Sequence, residues 1–268
     1  MPRPAMRRRQ SCAREISRLL PAFLLAILGS LYPLAASQNY CDPDLCPSGR
    51  HVACQNSGRF ASGCRGEFVQ IDPHIQLILQ LHNERRNQIA GGGVSGFPSA
   101  VQMATMTWDP ALAQLAAYNV LQCRMAHDEC RNTNTYRYAG QNLSILFTRS
   151  VDVDDFLRQR IASWFDENRY ATSGDMENYQ MRGGPAIGHF TTMVNERNNR
   201  VGCAVARFTD ANNVQATLLA CDYAVTNVLN NPVYRAGAPA SDCTSGRNPT
   251  YPNLCAVNEN YNYNQWSG

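Results

Sequence analysis

The sequence predicts an α+β fold in which helices pack on a central antiparallel sheet and disulfides reinforce the whole. Three observations predict it. Apolar residues recur at helical spacing through the first half of the chain, short alternating or apolar runs follow in the second half, and ten of the eleven cysteines come after an N-terminal segment that reads as a secretory signal.

That segment is residues 1–37. Arg7, Arg8 and Arg9 form a basic start, an apolar run extends from Leu19 to Leu34, and Ala35 and Ser37 are small residues suited to signal cleavage. The competing reading is a membrane anchor. Pro21 and Pro33 interrupt the run, and its ~16 residues are short of the ~20 that a spanning helix needs, so no transmembrane anchor is expected. Cleavage before Gln38 removes Cys12 and leaves an even set of cysteines for an oxidising, extracellular compartment. It also removes six arginines and Glu15, lowering the formal charge from +3 to −2. A chain without basic excess has no electrostatic footprint for nucleic acid or an anionic membrane surface. Every basic residue is arginine, which rules out lysine nucleophiles, Schiff bases and the Walker A motif.

Residues 38–70 hold Cys41, Cys46, Cys54 and Cys64 among Gly, Pro, Ser and Asn with no hydrophobic period, and read as a stapled, loop-rich arm. Asp72-Pro73 opens a helix marked by Ile75, Ile78, Leu79, His82, Arg86 and Ile89 and ended by three glycines from Gly91. Asp109-Pro110 opens a second, through Leu112, Leu115, Ala116, Asn119 and Cys123. A third is spaced by Val153, Phe156, Leu157, Ile161, Trp164 and Phe165 and runs to about Glu167. Beyond Gly183-Gly184-Pro185 the texture predicts strands at Phe190–Val194, Val201–Phe208 and Ala216–Tyr223, the last two joined as a hairpin through residues 209–213. Cys203 and Cys221 would then sit on neighbouring strands. Further strand is expected near Ile145–Phe147. The tail, residues 231–268, is rich in Asn and Tyr and reads as an extension clipped by Cys243 and Cys255.

No HExxH, Cys-x-x-Cys or Gly-x-Ser-x-Gly motif is present, so the common hydrolase and metal signatures are absent. Compact polar strings stand out instead: His82-Asn83-Glu84-Arg85-Arg86 on the first helix, Gly140-Gln141-Asn142-Leu143 in the expected loop after the second, Gly188-His189-Phe190-Thr191-Thr192-Met193-Val194, and Leu218-Leu219-Ala220-Cys221-Asp222-Tyr223.

In the order and spacing of these four strings the chain resembles the CAP superfamily of cysteine-rich secretory proteins, insect venom antigen-five allergens and plant pathogenesis-related proteins, most closely the antigen-five-like branch. The likeness spans Cys41 to Asn227, and residues 71–230 are the expected CAP domain. The resemblance implies an α-β-α sandwich. It implies a cleft mapped by motif onto His127, Gln141, Glu167 and His189. It also implies the disulfides Cys41–Cys54, Cys46–Cys130, Cys64–Cys123, Cys203–Cys221 and Cys243–Cys255, of which spacing alone supports only the last two.

Three positions depart from the family pattern. Gln141 stands where many members have Glu, and an amide is no general base. Asn195 replaces a usual Trp, and Asp222 replaces a usual Asn. His127 and His189 could hold zinc weakly, with His51 and His74 next in line; no other cofactor is expected, because two imidazoles without a third strong ligand make a poor site. His82 and Arg86, one helical turn apart, read as structural polar groups tying helix to sheet. Asn142-Leu143-Ser144 is formally a glycosylation sequon, expected to stay unmodified because the family packs it inside.

The function that follows is a secreted, non-enzymatic protein, expected as a monomer. It would bind a lipid-like ligand, such as a sterol or fatty acid by the resemblance, or an extracellular protein partner, in a defence, digestive or reproductive fluid. The alternative is a metal-assisted hydrolase or protease using the His/Glu cleft. That alternative lacks a nucleophile paired with a base and an orienting group.

Overall fold

The computed structural model describes residues 38–181 and 183–265; the expected signal segment, residues 1–37, lies outside them. The elements in chain order are β1 (Arg65–Phe68), α1 (Ile75–Ala90), β2 (Thr107–Trp108), α2 (Pro110–Val120), β3 (Gly140–Leu146), α3 (Val153–Phe165), α4 (Ser173–Glu177), α5 (Gly188–Val194), β4 (Arg200–Thr209) and β5 (Gln215–Tyr223). Single 3-10 turns at Asp72–His74 and Asp166–Tyr170 lead into α1 and out of α3. The sheet runs β1-β4-β5-β3 with antiparallel pairing throughout, and the two-residue β2 adds to β4 in parallel.

Alternation along β4 and β5 builds a sandwich, because successive side chains of a strand point to opposite faces. Val201, Cys203, Val205, Leu219, Cys221 and Tyr223 join a core with Ile78 and Ile89 of α1, Phe156, Leu157 and Ile161 of α3, and Phe190 and Met193 of α5. The even-numbered set, Ala204, Ala206, Phe208, Ala216, Leu218 and Ala220, packs with Ala116 and Val120 of α2. Among the described residues α2 therefore covers one face, and α1, α3 and α5, with Met176 of the short α4, cover the other. Gly202 permits the closest approach: a Cβ there would lie 2.0 Å from the amide nitrogen of Ala113 in α2.

Helix starts follow their local chemistry. Asp109 caps α2 by accepting from the amides of Ala111 and Leu112, with Pro110 in the first turn. Asp152 caps α3 through the Asp155 amide. The short α4, which the periodicity did not suggest, is closed by a reciprocal box between Thr172 and Asp175.

Two expectations are corrected. Gly140–Leu143, expected as loop, is the first half of β3, pairing residue by residue with Leu143 opposite Ala220 and Gly140 opposite Tyr223; strand pairing reaches back five residues before Ile145. Phe190–Val194, expected as strand, lies in the helix α5. The β-branched Thr191, Thr192 and Val194 favour strands. Long-range caps at both ends override that preference: Glu167 Oε2 accepts from the amides of His189 and Phe190, and Arg86 Nη1 donates to the carbonyls of Met193 and Asn195.

Five disulfides join Cys41–Cys54, Cys46–Cys130, Cys64–Cys123, Cys203–Cys221 and Cys243–Cys255. The second and third tie the N-terminal arm to the loop that follows α2. The tail is more than a clipped extension: Val233, Tyr234 and Leu254 belong to the main core, and the Thr105 hydroxyl donates to the Cys255 carbonyl. Among the described residues, no helix is long and apolar enough to cross a membrane.

Candidate functional site

The polar strings converge at the edge strand β3. Its successive residues face opposite sides, so Gln141 joins the α2 side while Asn142 joins the three-helix side. Between the loop after α2 and the start of α5 lies a cavity of about 500 Å³ that His127, Gln141, Asn142, Tyr179, His189 and Asn227 help to line. Met181 (81% exposed) and Leu229 (46% exposed) add apolar surface to it.

On the α5 side, Glu167 sits in the turn that continues α3. Its Oε1 accepts from His189 Nδ1 at 2.6 Å, and its Oε2 accepts from the backbone amides of His189 and Phe190 at 2.9 and 3.1 Å. An ionised carboxylate only accepts, so Nδ1 of His189 carries the proton and Nε2 keeps its lone pair. The Trp164 ring stacks against the imidazole at 6.0 Å between centroids, and Trp164 is itself anchored by donation to the Leu143 carbonyl.

On the α2 side, His127 Nδ1 lies 2.9 Å from Gln141 Oε1. Burial holds His127 below the ordinary imidazole value; the charge of Arg131 acts in the same sense, against the bond from Gln141 and the charge of Asp128. The hub beneath is Asp128, which sequence reasoning passed over although it adjoins His127. It accepts from Asn119 and Gln122 at 2.8 Å each, from Gln141 at 2.7 Å and from Arg131 at 3.4 Å. Gln141 Nε2 also donates to Asp222 Oδ1 at 2.9 Å. Asp222 is fully buried, its Oδ2 has no partner among the described residues, and burial pushes its carboxyl up to about 8. The sequence signals for this network were the two departures at Gln141 and Asp222; that Asp222 is buried emerges only from the structure.

His82, Arg86 and Asn142 lie beneath the cleft. His82 Nδ1 donates to the Ile78 carbonyl, so its Nε2 must accept from the Tyr223 hydroxyl at 2.9 Å, and Tyr223 in turn accepts from Asn142 Nδ2. Arg86, fully buried, donates to the carbonyls of Ala104, Met193 and Asn195. Asn142 is 1% exposed and also donates to the His189 carbonyl. Asn195, at the end of α5, receives the Arg197 amide on its Oδ1 and so turns the chain toward β4.

This fold, an antiparallel sheet between layers of helix, has known counterparts. The sequence profile of the cysteine-rich secretory protein family, CAP, matches residues 79–223. The chain belongs to the CAP family. Venom allergen-1 of Aedes aegypti is 37% identical over 264 residues, covering 94% of this CAP chain and 99% of that protein. Antigen 5 like allergen Cul n 1 of Culicoides nubeculosus is 37% identical over 196 residues, 68% of this chain and 90% of that one. Among solved structures, NaASP2 with Zn²⁺ aligns with a TM-score of 0.57 at 24% identity over 69% of this chain and 96% of its own, a likeness of fold.

The donor set fits zinc poorly. Among the described residues, the hydrogen bonds of the His127 and His189 rings are made through Nδ1, leaving one Nε2 each, and no three His, Cys, Asp or Glu side chains are grouped to hold a metal ion. Glu167 spends both oxygens on His189 and Phe190. Of the other histidines, His51 uses both ring nitrogens, on Asn132 O and the Ala53 amide, and His74 pairs with Asp154 at the surface.

Proposed function

We propose that this CAP protein is a secreted, non-enzymatic binding protein of an extracellular fluid, with the His127–His189 cleft as its binding site. The observation that carries the reading is the commitment of Glu167. It is the one carboxylate of the mapped cleft set, and three N–H donors already occupy it. A general base must instead reach the proton it removes. Gln141 cannot ionise to replace it. The five disulfides, and relatives named as venom allergens, support an oxidising, extracellular setting.

On this reading residues 1–37 are removed as a signal, leaving the arm (38–70), the CAP domain (71–230) and the tail (231–268). The apolar surface of Met181 and Leu229 supports an amphiphilic ligand or a protein partner. A second, apolar groove of about 290 Å³ runs between β1 and α2 and is lined by Phe68, Val69, Ile71, Ala113 and Ala117. Its apolar lining would suit an acyl chain rather than a polar ligand. Any zinc would bind weakly, completed by water.

Native mass spectrometry of the protein secreted from insect cells, with a panel of labelled peptides and esters, tests the reading. Retained lipid or partner mass with no turnover is expected. Hydrolysis that disappears in Glu167→Gln would replace it with the hydrolase.

A further inference from the structure

Gln141 and Asp222 are directly opposite each other on β3 and β5, so their side chains share a sheet face. On its other side Asp222 is opposite Gly202 of β4, the glycine against which α2 seats, so no side chain from that strand reaches it. Among the described residues, Gln141 Nε2 is the one hydrogen-bond partner of the Asp222 carboxyl, on Oδ1. The same nitrogen donates its second hydrogen to Asp128 Oδ2. An amide nitrogen has two hydrogens, and here both are used. Rotating the amide by half a turn would put its oxygen against Asp128, already an acceptor for Asn119, Gln122 and Arg131. Gln141 Oε1 is thereby aimed at His127 Nδ1, which must carry the hydrogen.

We propose that Gln141 and Asp222 form one positioning unit that commits His127 to the Nδ1–H tautomer, so that the cleft presents two imidazole Nε2 acceptors to a ligand bearing hydrogen-bond donors. His189 reaches the same tautomer by a different route, through Glu167. The proposal rests on the cleft being the binding site and adds the chemistry that the site selects: donors are favoured, and a carboxylate would meet two lone pairs.

The unit also accounts for two departures from the CAP pattern that look unrelated in sequence. Glutamate at 141 beside Asp222 and Asp128 would gather three carboxylates around one buried point, where like charges cannot all ionise. Asparagine at 222 would instead supply the donor that a glutamate at 141 needs. A carboxylate and an amide face each other either way, with the roles exchanged. The exchange moves the carboxylate from the His127 side of the pair to β5.

The test is long-range ¹H–¹⁵N correlation of the imidazoles in the labelled, disulfide-intact protein near pH 7.5, on wild type, Gln141→Met, Gln141→Glu, Asp222→Asn and Gln141→Glu/Asp222→Asn. Wild-type His127 should show a protonated Nδ1 and a bare Nε2. Gln141→Met removes the acceptor and should release His127 to the Nε2–H form that free imidazole prefers; zinc used as a probe should then bind about tenfold more weakly. Gln141→Glu should lower the melting temperature, and adding Asp222→Asn should recover most of the loss. A wild-type His127 protonated on Nε2, an unchanged tautomer in Gln141→Met, or additive effects in the double mutant would each overturn the proposal. If Gln141→Glu does not fold, the tautomers of wild type and Gln141→Met still decide it. The tautomer is read without ligand, so absence of any binding partner would sink the binding function while leaving this result standing.

Discussion

Arg86 and Glu167 grip opposite ends of one seven-residue helix. Glu167 accepts two amides at the start of α5, and Arg86 donates to two carbonyls at its end, at 2.7 and 2.9 Å. Charge of the favourable sign therefore meets each pole of the helix dipole. His189 lies in that helix, so the residues that hold the helix also place the imidazole in the cleft.

Removing the N-terminal grip should act on both. Glu167→Ala leaves two amides of α5 uncapped and should cost ~1–2 kcal/mol, the usual value of an N-cap. Calorimetric melting gives the loss, and amide exchange should show it concentrated in Gly188–Val194. Glu167→Gln keeps a single acceptor oxygen and should lose about half as much. Equal protection of α5 in wild type and Glu167→Ala would refute the capping role.

The C-terminal grip is deeper. Arg86→Met fits a similar volume but leaves the carbonyls of Ala104, Met193 and Asn195 without their donor, at ~1–3 kcal/mol for each group stranded in the interior. Urea denaturation should show a drop of about 3 kcal/mol or more with an unchanged slope. A loss below ~1 kcal/mol would mean that water replaces the guanidinium.

Two fully buried groups, His82 and Asp222, contribute to the pH dependence with opposite signs. Burial pushes His82 down to about 4, the Ile78 carbonyl opposing and the charge of Arg86 reinforcing. The unfolded chain therefore binds the extra proton between about 4 and the ordinary 6.5, and stability falls as pH drops through that window. Burial raises Asp222 to about 8, with Asp128 adding, and Arg131 and the bond from Gln141 subtracting. There the folded chain holds the extra proton, so stability falls as pH rises from 3.8 to about 8. Below 6.5 the two slopes oppose each other, with the lowered His51 and His127 acting in the same sense as His82, so the loss due to Asp222 stands alone between pH 6.5 and 8. Asp222→Asn should flatten that upper limb, removing a loss of ~2 kcal/mol. Melting curves across pH 5 to 9 that are parallel for the two proteins would show that Asp222 ionises normally.

Among the bridges, Cys46–Cys130 and Cys64–Cys123 close the longest loops, with separations of 84 and 59 residues. Replacing either pair by alanine should cost ~3–5 kcal/mol, whereas removing Cys243–Cys255, separated by 12, should cost less. Thermal melts of the three double mutants give the order, and a tail bridge that proves the costliest would contradict it.

Local signals specify α1, α2, α3 and the β4–β5 hairpin: Asp-Pro starts, helical or alternating apolar spacing, and a polar turn. The sequence also brought His127, Gln141, Glu167 and His189 to attention by motif. Tertiary structure alone decided that Phe190–Val194 is a helix and that Gly140–Leu143 is strand, because the caps and the pairing partner come from residues far along the chain. It likewise decided that Asp128 is a hub and that Asp222 answers Gln141. A hydrogen bond between β3 and β5 spans 81 residues and leaves no periodic trace at either end. Only burial beneath α2 makes that bond a fixed constraint, by leaving each partner no water to choose instead.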